Sequence, residues 1–416
     1  MQKELSVQQP PHQPFLETAA TEGTPKVLVL NSGSSSLKFA VVEPSCGRLL
    51  FSGIVDRLGT QESELQIKLP AACKKTIPTP FADHHKSLDT IFPYLKDFGI
   101  IGVGHRVVHG GEKFHESVVI DDAAQSAIAD CAVIAPLHAP ANLTTIQVAR
   151  KKFPNLPQVA VFDTAFHQTL PPYAYRYAVP QQWYEQYGIR KYGFHGTSHC
   201  YVSQEASRLL GIGIEDLQLL TAHLGNGASV CAIRNGKSVD TSMGLTPLEG
   251  LIMGTRSGDI DANVLLFLHQ QTGLSLAEIT DVLNKKSGLL GLSGVGNDMR
   301  VLLEEKAKGH CGAALAVEAF CYRLARHLLA AAAGLDRIDA LIFTGGIGEN
   351  SPPIRERALE HLRILGTAID PKLNGEHGES SAGRITSSDS KVLAMVIHTN
   401  EELLIARETV RLIRSF

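Results

Sequence analysis

The 416-residue sequence lacks several features that would place it in a common class of protein. Its seven cysteines are scattered, odd in number and without a C-x-x-C pair, which argues against a disulfide framework or a zinc ribbon and fits a reducing cytosol. The net charge of −3 gives no basic excess for binding nucleic acid. No apolar run approaches the roughly 18 residues of a membrane span. We therefore predict a cytoplasmic protein that binds neither nucleic acid nor membrane.

Common catalytic and nucleotide-binding motifs are also missing. There is no G-x-S-x-G elbow, no G-x-G-x-x-G fingerprint and no P-loop, because Cys231 stands where a P-loop around Gly236-Lys237-Ser238 would need its first glycine. Residues 1–25 have no apolar core segment and are rich in Gln, Pro and Thr. They predict a disordered N-terminal extension rather than a signal peptide.

What remains is an interleaved pattern of strands and helices, which predicts an α/β protein of two or three domains. Strands are predicted at 26–31, 37–43, 49–55, 101–108, 158–163, 217–223, 228–233, 339–343 and 391–397. Helices are predicted at 87–97, 121–133, 140–152, 199–210, 261–271, 276–285, 311–334, 353–361 and 400–415.

One internal similarity suggests a duplication. Each half opens with an apolar strand, a turn of small residues and a second apolar strand, and Asn31 and Asn226 are expected in corresponding turns. Two related halves would form two domains facing each other across a cleft. Strand–turn–strand is also a common hairpin pattern, so the similarity alone is weak evidence.

Three polar residues stand in unusual settings. Arg106, in GHRVVHGGE, lies in an apolar strand, where a planar cation needs either an anionic ligand or an internal ion pair. Asp163 closes an apolar strand, so it could hold Mg²⁺ or orient a nucleophile, or it could serve as a turn or cap residue. Arg256 lies among small residues in MGTRSGDID, where it could bind an anion or pair with Asp259 or Asp261.

A histidine and two glycine-rich segments complete the set. His195, in KYGFHGTSH, could donate to a phosphoryl group, although a lone histidine is more often structural. HLGNGAS (223–229) and TGGIGENS (344–351) follow apolar strands, and their glycines would let backbone N–H groups approach phosphates. Together these features predict phosphoryl transfer, which needs little beyond positioning and charge neutralisation.

The motifs, in their order, closely resemble the acetate kinase family from Lys26 to the C-terminus. The matching segments are NSGSSSLKF, GHRVVHGGE, VFDTAFHQT, YGFHGTSH, HLGNGAS, PLEGLIMGTRSGDID, FTGGIGEN and TNEELLIARET. The resemblance implies the duplicated fold of actin, Hsp70 and sugar kinases, with two α/β domains around an ATP cleft. It implies an N-terminal domain of residues 26–165 completed by 401–416, a nucleotide-binding domain of 166–400, and a homodimer.

The resemblance also implies a role for each matching residue. Asn31 and Glu401 would belong to a site for Mg²⁺, with Mn²⁺ as a substitute, and Arg106 would hold acetate or the phosphate of acetyl phosphate. Asp163 matches the family's acid/base position; because a carboxylate nucleophile is already ionised at neutral pH, we expect it to act electrostatically or to orient the metal. His195 and Arg256 would stabilise the phosphoryl group in transfer.

The remaining residues implied by the resemblance form two sets. Val108, Leu137, Phe194 and Pro247 would form the pocket for the acetate methyl group. The ATP/ADP contacts would be Ser34, Ser36, Lys38, His223, Leu224, Gly225, Asn226, Gly227, Asp298, Met299, Arg300, Gly346, Ile347, Gly348, Glu349 and Asn350.

The expected activity is therefore an ATP-dependent acetate kinase that makes acetyl phosphate and ADP. Two alternatives remain: a kinase of propionate or butyrate, and a non-catalytic ATP switch of the actin or Hsp70 kind. The sequence departs from the usual family pattern at a few positions, with His398 in place of a proline and alanine at 139, 141 and 262.

Overall fold

The computed structural model describes residues 24–33, 35–68, 74–131 and 139–415. The predicted extension at 1–25 lies outside this range except for Thr24 and Pro25. Ser34 and Leu137 also lie outside the described residues.

A mixed sheet forms the first half of the fold, with eight strands among the described residues in the order β5-β4-β3-β2-β1-β6-β8-β7. Its central strand β1 is antiparallel to β2 and parallel to β6. Apolar side chains on both faces of β1 are buried, as expected for a strand covered on each side. The strands are β1 (Lys26–Ser32), β2 (Ser36–Glu43), β3 (Arg48–Asp56), β4 (Glu64–Lys68), β5 (Lys74–Pro78), β6 (Ile100–Val107), β7 (Val118–Val119) and β8 (Gln158–Phe162).

A second sheet, with five strands in the described part of the chain, has the order β11-β10-β9-β12-β13. Its strands are β9 (Gln218–Leu224), β10 (Ala228–Arg234), β11 (Lys237–Thr241), β12 (Ala340–Thr344) and β13 (Leu393–Val396). Strand β9 is antiparallel to β10 and parallel to β12, which is parallel to β13.

The two sheets share one topology. Two antiparallel pairings are followed by two parallel pairings along β3-β2-β1-β6-β8 of the first sheet. The second sheet has the same sequence of pairings along β11-β10-β9-β12-β13. The predicted duplication is confirmed. The expected placement of Asn31 was wrong: it lies within β1, paired with Lys38, whereas Asn226 lies in the turn after β9.

Helices cover both faces of each sheet. The helices are α1 (His84–Leu95), α2 (Asp122–Asp130), α3 (Ala139–Lys152), α4 (Pro172–Tyr175), α5 (Gln181–Tyr187), α6 (Gly196–Leu210), α7 (Asn263–Thr272), α8 (Leu276–Lys285), α9 (Gly288–Ser293), α10 (Met299–Ala307), α11 (Cys311–Ala332), α12 (Gly345–Asn350), α13 (Pro352–His361), α14 (Pro371–Gly375) and α15 (Glu401–Ile413). Helices α1 and α3 pack on one face of the first sheet, and α6 and α11 pack on opposite faces of the second. None of the helices in the described ranges combines the length and apolarity needed to cross a bilayer.

The last helix returns to the first sheet. Asn400 caps α15 by accepting a hydrogen bond from the backbone N–H of Leu403 at 2.9 Å. Leu403 and Ile405 then pack against Val27 and Val29 of β1. The chain end therefore sits beside the first residues of the fold, and this carries Glu401 to the end of the central strands.

Candidate active site

Strand register brings three predicted site residues side by side in the first sheet. Asn31 of β1 is the register partner of Lys38 on β2 and of Arg106 on β6. Register partners point to the same side of a sheet. Asp163 directly follows the neighbouring strand β8, where its backbone N–H donates to the carbonyl of Val107 at 3.0 Å. The carboxyl ends of the parallel strands thus collect these polar groups, as α/β sheets do around a ligand site.

Arg106 forms the internal ion pair that was one of its two predicted roles. Its Nε donates to Asp163 Oδ1 at 3.0 Å, its Nη2 pairs with the other carboxylate oxygen, and its Nη1 donates to Asn31 Oδ1 at 3.2 Å. Glu401 lies 3.4 Å from Nε. Burial acts to lower the pKa of Arg106, but the two carboxylates together raise it. A guanidinium has five N–H donors, so two remain for an anion.

Oxygen ligands around Arg106 fit a magnesium ion. Burial raises the pKa of Glu401 to about 7, with Arg106 opposing the rise and Asp163 adding to it. Among the described residues there is no cluster of three or more Asp, Glu, His or Cys side chains that could hold a metal alone. Magnesium, however, is usually held by one or two carboxylates together with substrate phosphates and water. Asn31, Asp163 and Glu401 supply that kind of donor set.

The start of α6 is joined directly to Asp163. The N–H of Gly196 donates to the Asp163 carbonyl at 2.9 Å, and Thr197 Oγ1 donates to Asp163 Oδ1 at 2.9 Å. A Cβ at Gly196 would lie only 2.2 Å from that carbonyl oxygen, so the approach requires glycine. The preceding residue, His195, has φ 57° and ψ 23°, a left-handed conformation that non-glycine residues rarely adopt and that is often found at functional sites.

His195 and Arg256 converge on the turn of the second hairpin. A Cβ built on Gly227 would lie 2.6 Å from Arg256 Nη2 and 3.3 Å from His195 Nε2. Position 227 therefore has to be a glycine, without a side chain, for both Arg256 and His195 to reach the turn. Two groups expected to stabilise a phosphoryl group are brought together here.

Arg256 is a largely buried cation without a carboxylate partner in the described chain. Its Nη1 donates to the carbonyl of Pro247 at 2.5 Å. Neither aspartate considered as a partner pairs with it, since Asp259 pairs instead with His327 at 3.2 Å. Burial lowers the pKa of Arg256 to about 10. A buried charge of this kind is expensive unless an anion neutralises it, so the geometry favours an anionic ligand.

Burial favours the neutral form of the two histidines at the site. The rings of His195 and His223 lie 4.3 Å apart. Burial holds the pKa of His195 well below its usual value, and His223, His199, Arg106 and Arg256 add to the effect. Burial also lowers the pKa of His223 to about 4, with Arg106 adding to the effect. A neutral imidazole carries one N–H, so His195 can donate one hydrogen bond to an anion.

The predicted nucleotide residues of the second half fall into four environments. In the hairpin turn, Gly225 N–H donates to Gly227 O at 2.9 Å, and Asn226 accepts from Asn297 at 2.9 Å. Leu224 and Met299 are buried in the hydrophobic core, so only their backbones could meet a ligand. The third environment is α10 with its cap, and the fourth is α12.

Asp298 and Arg300 are paired with each other rather than left free. Asp298 caps α10 through the N–H of Arg300 and forms an ion pair with the Arg300 side chain at 2.6 Å. The hydrogen bonds from Arg300 lower the pKa of Asp298 to about 2. Three of the five N–H groups of Arg300 are not used for Asp298, so Arg300 could contact a nucleotide while this pairing is kept.

The segment TGGIGEN forms the short helix α12 rather than the expected loop. Gly345, at φ +75°, packs against Leu224 of β9, while a Cβ on Gly346 would meet open space. Glu349 turns back and accepts from Gly345 N–H at 2.9 Å and from Thr399 N–H at 3.0 Å, and it pairs with His398 at 2.8 Å. Its carboxylate thus ties α12 to the segment before α15, which leaves Gly346 as the open position.

Comparisons with known proteins identify this arrangement. A sequence model of the Acetokinase family matches residues 26–407. The chain belongs to the acetokinase family. It is 50% identical over 390 residues to an acetate kinase of Stutzerimonas stutzeri, covering 93% of this chain and 98% of the relative. It is 48% identical over 397 residues to an acetate kinase of Carboxydothermus hydrogenoformans, covering 93% and 99%.

Solved structures agree with the family assignment. A propionate kinase from Francisella tularensis superposes with a TM-score of 0.89 at 43% identity, covering 93% of this chain and all of the other. Porphyromonas gingivalis acetate kinase superposes with a TM-score of 0.88 at 43% identity, covering 94% and 100%. The fold is therefore the duplicated α/β type of the acetokinase family, and the protein is a kinase whose family uses ATP as co-substrate.

Three of the four residues predicted to form the acid pocket lie in the described part of the chain. Val108 and Phe194 belong to one buried hydrophobic cluster, and the Pro247 carbonyl accepts from Arg256. The backbone N–H of Val108 is fixed by Asn142 Oδ1 at 3.1 Å. Leu137 lies outside the described residues.

Several residues that shape the site were not predicted. Thr197 donates a hydrogen bond to Asp163, Asn142 accepts one from the backbone N–H of Val108, and Ser229 is hydrogen-bonded to His195. Ser198 bonds His223 at 2.8 Å, and His199 lies one turn after His195. Four of the five lie within motifs already noted, so proximity to His195 and His223 in sequence was an available clue. Their partners depend on how α6 crosses the second sheet, which the sequence does not reveal.

Proposed function

We propose that this kinase catalyses the reversible transfer of the terminal phosphoryl group of ATP to acetate, giving acetyl phosphate and ADP by direct in-line transfer. The observation that carries the proposal is the pair Arg256 and His195, which converge on Gly227 without a neutralising carboxylate on Arg256. Arg106 keeps two N–H donors beyond those that bond Asp163 and Asn31. The two arginines supply one anion position for each reactant.

The reaction needs charge compensation rather than proton removal. A carboxylic acid of ordinary pKa is ionised at neutral pH and is already a nucleophile. We assign its binding to the free N–H groups of Arg106, and stabilisation of the phosphoryl oxygens to Arg256 and to the Nε2–H of His195. Asp163 orients Arg106 through its bidentate pair. A bound Mg²⁺, or Mn²⁺, held by Asn31, Asp163 and Glu401 would neutralise phosphate oxygens.

The duplicated hairpins suggest where ATP lies. We propose two domains, 26–165 with 401–416 and 166–400, with the phosphates between the β1–β2 hairpin and the β9–β10 hairpin. Lys38 on the first hairpin and the open Gly346 on α12 fit phosphate contacts. A non-catalytic ATP switch is disfavoured because it has no need for the carboxylate-binding Arg106.

The acid can be identified by trapping the product. Purified protein is incubated with ATP, Mg²⁺ and hydroxylamine, with acetate, propionate or butyrate in parallel. We expect acetyl hydroxamate to form with the highest kcat/KM, because Val108 and Phe194, two of the residues predicted to contact the methyl group, are buried apolar side chains that favour a small acid. One methylene changes such a preference by about 10- to 200-fold.

Two results of this assay would contradict the proposal. No hydroxamate from any of the acids would exclude a carboxylate kinase, and a higher kcat/KM for propionate than for acetate would exclude the acetate assignment. Protein with Arg106→Ala serves as the control for background hydroxamate. The assay includes both acids because relatives named acetate kinase and a structure named propionate kinase are similar to this chain.

We also propose that the protein is a homodimer. Helix α7 has no buried residue, and its Leu266 and Phe267 are 55% and 60% exposed. The family resemblance implies a homodimer, and we assign the contact with the second copy to this exposed apolar face of α7. In light scattering, the wild type should have twice the mass of the chain, and Phe267→Asp should shift it toward monomer. A wild-type monomer at micromolar concentration would contradict the proposal.

A cytoplasmic location completes the proposal. The six cysteines in the described ranges are free thiols, at positions 46, 131, 200, 231, 311 and 321. Free thiols fit a reducing compartment.

A further inference from the structure

A chain of buried side chains lies behind the His195 imidazole. Its Nδ1 is 2.8 Å from Ser229 Oγ, which is also 2.9 Å from His199 Nε2. The other nitrogen of His199, Nδ1, is 2.7 Å from Thr221 Oγ1. Ser229, His199 and Thr221 have no solvent exposure. These four side chains come from α6 and the residue before it, β9 and β10, so this row of hydrogen bonds forms only in the folded second half.

Counting the hydrogens leaves only two possible directions of donation along this row of hydrogen bonds. Each hydroxyl and each neutral imidazole carries one hydrogen, so Ser229 donates to one of its two ring neighbours and accepts from the other. In the first direction, Thr221 donates to His199, His199 to Ser229, and Ser229 to His195 Nδ1. His195 then carries its hydrogen on Nε2, the nitrogen close to Gly227.

The second direction leaves the site without a donor from His195. His195 Nδ1–H donates to Ser229, Ser229 to His199, and His199 to Thr221, whose hydroxyl must turn to the carbonyl of Cys231 at 3.3 Å. That contact is longer than the 2.7 Å contact between Thr221 and His199. His195 Nε2 would then face the phosphoryl position with a lone pair, which repels an anion.

We propose that Ser229 and His199 are positioning residues that hold His195 as the tautomer with its hydrogen on Nε2, directed at the transferred phosphoryl group. The inference rests on the proposed function, because it assigns the hydrogen to the side of the phosphoryl group. Ser229 acts directly on His195, and His199 acts by leaving Ser229 no other acceptor. Neither residue contacts the reacting atoms, so both work through the orientation and tautomer of His195.

The first test compares two buried serines that each bond a histidine. Ser229→Ala removes the donor to His195, and Ser238→Ala is the matched control, since Ser238 is fully buried and bonds His167 at 2.8 Å. Loss of one such hydrogen bond in the transition state predicts a fall in kcat of about tenfold to a hundredfold for Ser229→Ala. The KM for the acid should change less than about twofold, because Arg106 is untouched. Ser238→Ala should leave kcat within about twofold of wild type.

Two kinetic results would overturn the inference. One is a kcat of Ser229→Ala within twofold of wild type, and the other is an equal loss of kcat in both serine variants, which would indicate a general packing effect. The variants are first compared by circular dichroism and thermal melting.

The second test measures the tautomer directly in the wild-type protein. Wild-type protein labelled with ¹⁵N-histidine is observed by NMR with Mg²⁺ and the nonhydrolysable analogue AMPPNP. The His195 signals, one set among 17 histidines, are assigned by their loss in His195→Gln. We expect a neutral ring with hydrogen on Nε2. A hydrogen on Nδ1 would overturn the inference. Because no turnover is needed, this result is separate from the hydroxamate assay, whose failure would instead contradict the proposed function.

Discussion

Replacing Arg106 with alanine is expected to lower kcat/KM for the acid by about a thousandfold and the free energy of unfolding by about 3–5 kcal/mol. The first effect follows from loss of the donors assigned to the carboxylate substrate. The second follows because Asp163, which is 1% exposed, loses its bidentate partner and Glu401 loses its nearest cation. A buried carboxylate left without its cation destabilises the fold strongly.

Urea unfolding and steady-state kinetics measure the two effects separately. Arg106→Lys is the matched control, because lysine keeps the charge near Asp163 but cannot form the bidentate pair or present two donors to the substrate. It should recover part of the stability while kcat/KM stays low. An Arg106→Ala protein with wild-type stability would contradict the ion-pair assignment, and one with wild-type kcat/KM would contradict the assigned substrate contact.

The sequence predicts the central strands and long helices well because their apolar patterns are strong. Helix α11 was predicted at 311–334 and observed as Cys311–Ala332, and β1 was predicted at 26–31 and observed as Lys26–Ser32. The strands that were missed lie at or near sheet edges, such as β5 (Lys74–Pro78) and β11 (Lys237–Thr241). These segments are short and polar. Their structure is therefore determined by hydrogen bonding to a neighbouring strand and not by an apolar pattern in their own sequence.

Within the site, sequence could predict residues but not their partners. Arg106 had two equally supported interpretations, and the structure shows that the ion pair with Asp163 exists while leaving N–H donors over. Arg256 had the aspartates of its own loop as candidate partners, yet it turns to the Pro247 carbonyl. Residues close in sequence were the obvious candidates, whereas the actual contacts depend on how the 244–260 segment folds over the second hairpin.

The duplicated hairpins have diverged into different tasks. The β1–β2 hairpin presents Asn31 and Lys38 from paired strand positions, so it offers polar side chains. The β9–β10 hairpin offers a bare glycine at Gly227 and places Ser229 behind His195. One hairpin therefore presents polar side chains, and the other leaves space for the side chains of Arg256 and His195.

Arg256→Ala is expected to lower kcat by about a hundredfold to a thousandfold without destabilising the protein. The Arg256 side chain is mostly buried and, within the described ranges, forms one hydrogen bond, to the Pro247 carbonyl, so removing it relieves a desolvated charge. Arg355 provides the contrast: it is also buried, but it bonds Asn374 and the carbonyls of Gly348 and Glu349. Arg355→Ala should therefore lower the melting temperature, whereas Arg256→Ala should leave it unchanged or raise it.

The KM for the acid should change little in Arg256→Ala, since Arg106 remains. A fall in melting temperature with unchanged kcat in Arg256→Ala would show that this arginine is structural, and the phosphoryl contact would have to be assigned elsewhere.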